Sequence, residues 1–508
     1  MDNLRKLNKK WKSGLFLCVG LDTDIELIPK HLLKENGDAF LAMISFNKEI
    51  VDATKDSVCA FKINSAFYEK YGIEGMRVME ETIKYIKRKA PNVFLIADAK
   101  RGDIGNTNEG YKYFLKDSHK KGKEWSLGFD AMTIHGYLGL DANETFIKEK
   151  DKFFFVLCKT SNKGSGEFQD LLSEGYPLYL HTAKNIKEKW NKNKNCGLVL
   201  GATHGEHILK TRSIAGEDII FLVPGIGAQG GDLKEVIQCG MNNKKEGLII
   251  NMSRSVIYAS KGKDFAKKAR AEVEKFNQKV EKYLKLPRKT WQEEKKKIFR
   301  KRILEILGET KAVIMDGHFV YQTGRHGNAY VAKDRITPVP LLIDEVGMML
   351  ADLVKDKTID TVVAPAVGGI VLGHTVGKYL SFYKQKTINS IFLEKGEKGK
   401  DGTDTFRITR GYDAFLKGKN VLVVEDIVNT GHSVKEVIKS VERFGGKVKA
   451  ITVICNRGKV KEKEFKKIKL FSLVDLNLKT FKSNKCPLCK KGIPINTDFG
   501  HGSKAKTN

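Results

Sequence analysis

Eight short runs of β-branched and apolar residues recur through the first half of this chain, each followed by a longer stretch with helical periodicity. They are LFLCVGLD (15–22), VCAFKIN (58–64), VFLIADAK (93–100), AMTIH (131–135), FFFVLCKTS (153–161), CGLVLGAT (196–203), IIFLVPGIG (219–227) and GLIINMSR (247–254). Strands that are apolar almost throughout have to be covered on both faces, which points to parallel pairing. Parallel neighbours need a crossover connection, and a helix after each strand supplies it. Eight such units in about 250 residues are what a closed (β/α)8 barrel requires. Polar residues gather at the C-terminal ends of the runs, where a barrel of this kind builds its active site.

From about 262 to 302 the sequence is Lys/Glu-rich and helical, interrupted at Pro287. This places the barrel in residues 1–287 and a second α/β domain in 288–508. The clearest strands of the second half are TVVAPAV (361–367), SIFLEK (390–395), NVLVVED (420–426) and VKAITVICN (448–456). They are too few for another barrel, so a smaller, open, mainly parallel sheet is expected. The two halves carry different motifs and show no convincing internal repeat.

The 508 residues include 91 Lys and Arg against 61 Asp and Glu, a formal charge of +30. Such a balance raises nucleic-acid binding as a rival function of another class. The lysines, however, are spread along the chain among Glu and Asp, with no zinc-finger, basic-zipper or RNP motif. A solvated surface is expected instead, with no nucleic-acid partner. No apolar run approaches the ~18 residues of a membrane helix, so no membrane partner is expected either. The apolar stretch from Gly14 to Leu21 runs straight into Asp22, unlike a secretory signal, and residues 506–508 are not SKL. Most of the eight cysteines sit inside apolar runs, as reduced thiols of a cytoplasmic protein do. Cys486 and Cys489 alone form a CxxC. A closed zinc site needs four ligands. His501 offers a third and no fourth is visible, so a turn around Pro487 is expected, with zinc at Cys486 and Cys489 the alternative.

Two groups of residues carry chemistry. In DAKRGDIGNT (98–107), Asp98 and Lys100 alternate with Ala99, so an extended strand would point both to one side. Asp103 follows in the turn, Lys62 ends the second run and Asp22 ends the first, so adjacent strand ends would bring these charges together. At the seventh and eighth strand ends, the Gly-rich VPGIGAQGGD (223–232), with Gln229 and Gly230, and Arg254 make an anion site of backbone amides and a guanidinium. Gly225, Gly227 and Gly230 match GxGxxG. A dinucleotide site would place an acidic residue about twenty positions on, and the chain has Ile249, Ile250 and Asn251 there. In the second half, NVLVVEDIVNTGHSVKEVI (420–438) reads as strand, two carboxylates, small-residue turn and helix. Glu425 and Asp426 could accept from ribose hydroxyls. The amides of the turn from Val428 through Asn429, Thr430 and Gly431 to Ser433 could cradle a phosphate.

Residues 1 to about 285 resemble the orotidine 5′-phosphate (OMP) decarboxylase family through FKIN (61–64), DAKRGDIGNT (98–107), KTSN (159–162) and the paired phosphate elements. The resemblance implies a TIM barrel that needs no metal or organic cofactor. It implies a catalytic charge network of Lys62, Asp98, Lys100 and Asp103, ribose and pyrimidine contacts at Asp22, Thr107 and Ser161, and phosphate contacts at Gln229, Gly230 and Arg254. It also implies a homodimer or higher oligomer through the barrel, with Asp103 and Thr107 reaching into the partner's site.

Residues 420–438 resemble the phosphoribosyl pyrophosphate (PRPP) motif of type I phosphoribosyltransferases, and APAVGGIVLG (364–373) resembles their pyrophosphate loop. EKGEKGKDGTDTFRITRG (394–411) is similar to their mobile hood, which implies phosphate contacts at Lys395, Lys398 and Lys400, with Lys398 catalytic, and Mg2+ on the diphosphate. Within that superfamily GHFVYQTGRHGNAYV (317–331), with Tyr330, most resembles the base-binding segment of orotate phosphoribosyltransferases. Gln322 stands where a lysine is typical and Glu394 where an arginine is common, and the tail 486–502 lies outside the smallest versions of the fold. The whole chain resembles the bifunctional UMP synthases, with the decarboxylase first. The expected reaction joins orotate to PRPP and decarboxylates the resulting OMP to UMP. A transferase for another base, or a PRPP-sensing module without turnover, are the alternatives for the second half.

Overall fold

The computed structural model describes residues 2–116, 126–203, 205–226, 230–321, 324–332, 335–398, 404–476 and 478–499. Gln229, Gln322, Lys400 and His501 lie outside them, and of Lys398 only the backbone is described. The chain forms two compact units, Met1–Trp291 and Gln292–Asn508.

In the first unit each of the eight apolar runs forms a strand. These are β1 (Leu17–Gly20), β2 (Ala60–Asn64), β3 (Phe94–Arg101), β4 (Ala131–Ile134), β5 (Phe153–Lys159), β6 (Cys196–Leu200), β7 (Phe221–Pro224) and β8 (Leu248–Met252). They close in sequence order, β8 pairing with β1, and every pairing is parallel. The helices between them bury one apolar face each. Gly72–Lys89 turns Val78, Met79, Thr82, Ile83 and Ile86 inward and leaves its lysines and arginines in water. Asp38 caps Ala39–Thr54 by accepting from the Phe40 and Leu41 amides, a contact worth about 1 kcal/mol. At the far end of β7, Arg212 is fully buried with Phe221 against its guanidinium. It donates to the carbonyls of Gly240, Gly216, Ile219 and Gly247, and so ties together the loops that lead into β7 and β8.

The second unit carries a six-stranded sheet of β9 (Thr361–Pro365), β10 (Asn389–Lys398), β11 (Asp404–Arg407), β12 (Asn420–Val428), β13 (Lys447–Asn456) and β14 (Leu470–Asp475). The order is β11-β10-β9-β12-β13-β14, parallel except for the β10–β11 edge pair. Four of these strands are legible in the sequence, while the edge strands β11 (DTFR) and β14 (LFSLVD) are not among the runs it marks. Under the sheet, Val434, Val437, Ile438 and Val441 of helix His432–Arg443 pack on Val421, Val423, Ile451 and Val453. That i, i+3, i+4, i+7 stripe fixes where the helix points its N-terminus. Among the described residues no helix is long and apolar enough to cross a membrane.

Candidate active sites

At the C-terminal mouth of the barrel, register brings the charges together. Gly20 of β1 lies beside Lys62 of β2, and Asn64 beside Asp98 of β3. The Lys62 ammonium, only 4% exposed, donates to Asp98 Oδ2 at 3.0 Å and to Asp22 Oδ1 at 3.4 Å. The Lys100 ammonium reaches the other oxygen, Asp98 Oδ1, at 2.6 Å, and its side chain remains 48% exposed towards the mouth. Asp98 is thus held between two cations, one sealed and one open.

The extended-strand expectation for 98–100 is corrected here. The β3–β4 register shifts between Ala97 and Arg101, and Lys100 has a left-handed φ of 47°. A lysine pays a steric penalty in that region, which tertiary contacts must offset. They do so through Thr133 of β4, whose Oγ1 accepts from the Lys100 amide at 3.0 Å and donates to Asp98 Oδ1 at 3.0 Å. The bulge, rather than strand alternation, turns Lys100 back onto Asp98. Thr133 is a residue the sequence reading missed. A polar side chain between Met132 and Ile134 in AMTIH is its trace.

Burial would raise the Asp98 carboxyl, but the charges of Lys62 and Lys100 and their hydrogen bonds hold it well below the ordinary carboxylate range. Burial would likewise lower Lys62, and Asp22 and Asp98 outweigh it, raising the ammonium above its usual value. Both groups are therefore ionised throughout the physiological range.

Asp103 and Thr107 do not join this array. The Asp103 carboxylate accepts from the Ile104 amide at 2.7 Å and makes no ion pair among the described residues. Thr107 is exposed on the helix Gly105–Tyr111 that follows. Ser161 sits just past β5, against Gly201, where an added Cβ would come within 2.8 Å of it. Gly230 follows β7 with φ +77°, and the exposed Arg254 opens a short helix directly after β8. Gly230 and Arg254 thus lie just past two adjacent strand ends, with Gln229 outside the described residues.

In the second unit Glu425 and Asp426 are buried near the end of β12. Their carboxylates accept from the next backbone amide in each case, at 3.1 and 2.6 Å. Asn429 and Thr430 follow, then Gly431 at φ +78°, where a Cβ would press within 2.9 Å of Phe465. Gly431 is the N-cap of helix His432–Arg443. The first helical bond runs from the Lys435 amide to the Gly431 carbonyl, so the amides of His432, Ser433 and Val434 point out of the helix end. Lys395 and Lys398 lie on β10 opposite Phe406 and Asp404, with a bulge between them. Glu394, where an arginine was the expectation, holds Arg410 through two bonds at 2.8 and 2.9 Å, so a guanidinium is present there after all. Tyr330 lies on a two-residue strand, its ring 5.6 Å from Phe319 and 6.1 Å from Phe499.

These features define a closed parallel barrel with a lysine–carboxylate array at its mouth, followed in the chain by a second α/β unit with a strand–turn–helix at the end of β12. Residues 16–269 match the family model for the orotidine 5′-phosphate decarboxylase / HUMPS family, and residues 332–484 match that for the phosphoribosyl transferase domain. The chain belongs to the orotidine 5′-phosphate decarboxylase family and carries a phosphoribosyltransferase domain after the barrel. It is 46% identical over 266 residues to the orotidine 5′-phosphate decarboxylase of Flavobacterium johnsoniae, covering 92% of that protein and 52% of this chain. The corresponding enzyme of Christiangramia forsetii is 44% identical over 267 residues, covering 91% of that protein and 52% of this chain. Among solved structures, the UMP synthase of Leishmania donovani aligns over 99% of this chain and 98% of its own, at 24% identity and a TM-score of 0.49.

Proposed function

We propose that this chain catalyses two consecutive steps, joining orotate to PRPP to give OMP and decarboxylating OMP to UMP. The observation that carries the reading is the Lys62–Asp98–Lys100 array at the barrel mouth. Loss of CO2 breaks the bond from the carboxyl carbon to C6 of the pyrimidine and leaves its electron pair on C6. The Lys100 ammonium stabilises that charge and then donates its proton to C6. Asp98, kept ionised by Lys62, stands beside the departing carboxylate and holds Lys100 in position. Arg254 with the Gly230 turn grips the 5′-phosphate, and Asp22 and Ser161 contact ribose and base, so remote binding energy organises the reacting atoms. Asp103 and Thr107, placed apart from the array of their own chain, complete the site of a second copy in a barrel-to-barrel dimer.

In the second unit Glu425 and Asp426 accept from the ribose hydroxyls. The turn Asn429–Ser433 cradles the 5′-phosphate, and Lys395, Lys398 and Lys400 meet the diphosphate as negative charge develops on it. Carboxylate and phosphate oxygens are the donors a hard cation prefers, and Glu425 and Asp426 fit Mg2+ arriving with PRPP, which would neutralise leaving-group charge. Tyr330 and its segment face the base.

Base specificity is the part to test. With PRPP and Mg2+, the full chain should consume orotate and leave adenine, hypoxanthine and uracil unchanged. Release of diphosphate with another base instead would assign a different acceptor, and tight PRPP binding without any turnover would make this unit a sensor.

A further inference from the structure

The CxxC of the tail is not an isolated turn. His318, His326, Cys486 and Cys489 present four ligand atoms that all lie within 4.8 Å of one another. His318 Nε2 is 2.8 Å from His326 Nδ1, and Cys489 Sγ is 3.6 Å from the first and 3.3 Å from the second. Cys486 Sγ is 3.7 Å from His318 Nε2. A tetrahedron with Zn–N of about 2.0 Å and Zn–S of about 2.3 Å needs ligand separations of about 3.3–3.8 Å. Three of the four separations fall in that range, and the imidazole pair need open by only about half an ångström.

The surroundings are those of a built site. His318, His326 and Cys486 are buried, and Cys489 closes the outer side. The second ring nitrogen of His318, Nδ1, lies 2.7 Å from the Ile493 carbonyl. That bond fixes the tautomer with the proton on Nδ1 and turns the Nε2 lone pair into the cluster, the arrangement metal-bound imidazoles adopt. Backbone pairing sets the approach of the two halves. Val320 pairs with His326 across a hairpin, and Phe481 pairs with His326 on its other side, which delivers the tail to the hairpin. The Asn496 amide donates to the His318 carbonyl at 2.7 Å, and Cys486 begins the one-turn helix Pro487–Lys490 that positions both sulfurs.

We infer that His318, His326, Cys486 and Cys489 form a structural zinc site that clamps the C-terminal tail onto the segment 317–331. Two thiolates and two imidazoles in a closed tetrahedron, with no position left for water or substrate, select zinc over hard cations. The clamp also holds Tyr330 and Phe499 together. Its bearing on catalysis rests on the reading of 317–331 as the base-binding segment, whereas metal binding does not.

The test begins with metal content. Full-length protein without a histidine tag, purified under reducing conditions and freed of loose metal, should contain about one zinc per chain. Cys489→Ser should hold zinc at least about tenfold more weakly, whereas Cys239→Ser, a buried thiol of the barrel, should keep it. Should Cys489→Ser fail to fold, cobalt(II) exchanged into the unmodified protein supplies the second readout. Tetrahedral d–d bands with thiolate-to-cobalt charge transfer are expected. Metal-free protein with both thiols reduced, full zinc retention in Cys489→Ser, or a weak octahedral cobalt spectrum would each overturn the site. Stripping zinc should raise the KM for orotate while OMP decarboxylation is unchanged. Zinc present in a chain that ignores orotate would sink the orotate reading and leave the metal site standing.

Discussion

Replacing Lys100 with alanine lowers kcat for OMP decarboxylation by at least about 10⁴-fold, while UMP still binds. The magnitude follows from two roles removed at once. A positioned general acid contributes about 10²–10⁴-fold, and a preorganised charge aimed at the developing carbanion about another 10²–10³-fold. The lysine can act this way because the bulge in β3 and the Thr133 bond fix its backbone, and Asp98 fixes its ammonium at 2.6 Å. Its own contribution to stability is small, since the side chain is about half exposed and the ion pair is screened. The elements after β7 and β8 proposed to grip the phosphate are untouched by the change, so nucleotide affinity is expected to survive. A spectrophotometric decarboxylation assay with a UMP displacement control measures both. Turnover within tenfold of the unmodified enzyme would remove Lys100 from the chemistry.

Replacing Lys62 with methionine produces the largest effect on stability. The side chain is sealed between Asp22 and Asp98, so its loss leaves buried negative charge with only the outer lysine to balance it. Breaking a buried pair in this way costs about 3–5 kcal/mol. The pH dependence identifies the cause. In the unmodified barrel the Asp98 pKa is depressed, so its contribution is present above the unfolded carboxylate value and is lost only as pH falls through the lower, folded value. Lys62 is raised, so its contribution is complete below the ordinary lysine value and is lost only as pH rises through the higher, folded one. With Lys62 gone, burial is opposed by Lys100 alone and the Asp98 carboxyl moves up, so the folded variant takes up a proton at higher pH than the unmodified barrel does. The stability gap should therefore narrow from neutral pH towards about pH 4–5, as the stranded carboxylate is neutralised. Denaturant midpoints of the barrel transition at the two pH values measure this. A gap that is absent, or that stays constant with pH, would mean Lys62 is not the counter-ion of Asp98.

The barrel was legible because its information is local. Eight apolar runs and eight helical intervals read directly as strands and crossovers, and each run contains its strand except that β3 extends one residue further, to Arg101. The charge array was legible for a related reason, since residues at the C-terminal ends of adjacent parallel strands must converge. What escaped the sequence depends on backbone geometry or on distant pairing. Nothing in DAKRG marks a left-handed lysine, because positive φ at a non-glycine residue is imposed by neighbours such as Thr133. Glu394 read as a departure from the expected arginine, yet it recruits Arg410 from across the β10–β11 edge. The His–Cys cluster escaped for the plainest reason. Its histidines precede its cysteines by more than 150 residues, and long-range contacts such as the pairing of 326–327 with 480–481 bring them together. A search for ligands near the CxxC finds His501 instead, which lies outside the described residues.

The proposed pairing of the two activities is directly measurable in the chain's products. Orotate labelled in its carboxyl carbon, supplied with PRPP and Mg2+ to the full-length protein, should release its label as CO2, one for each orotate consumed. Under the same conditions Lys100→Ala should retain the label in accumulating OMP. Label left in free orotate by a protein that still decarboxylates added OMP, or released at the unmodified rate by the Lys100 variant, would contradict the account.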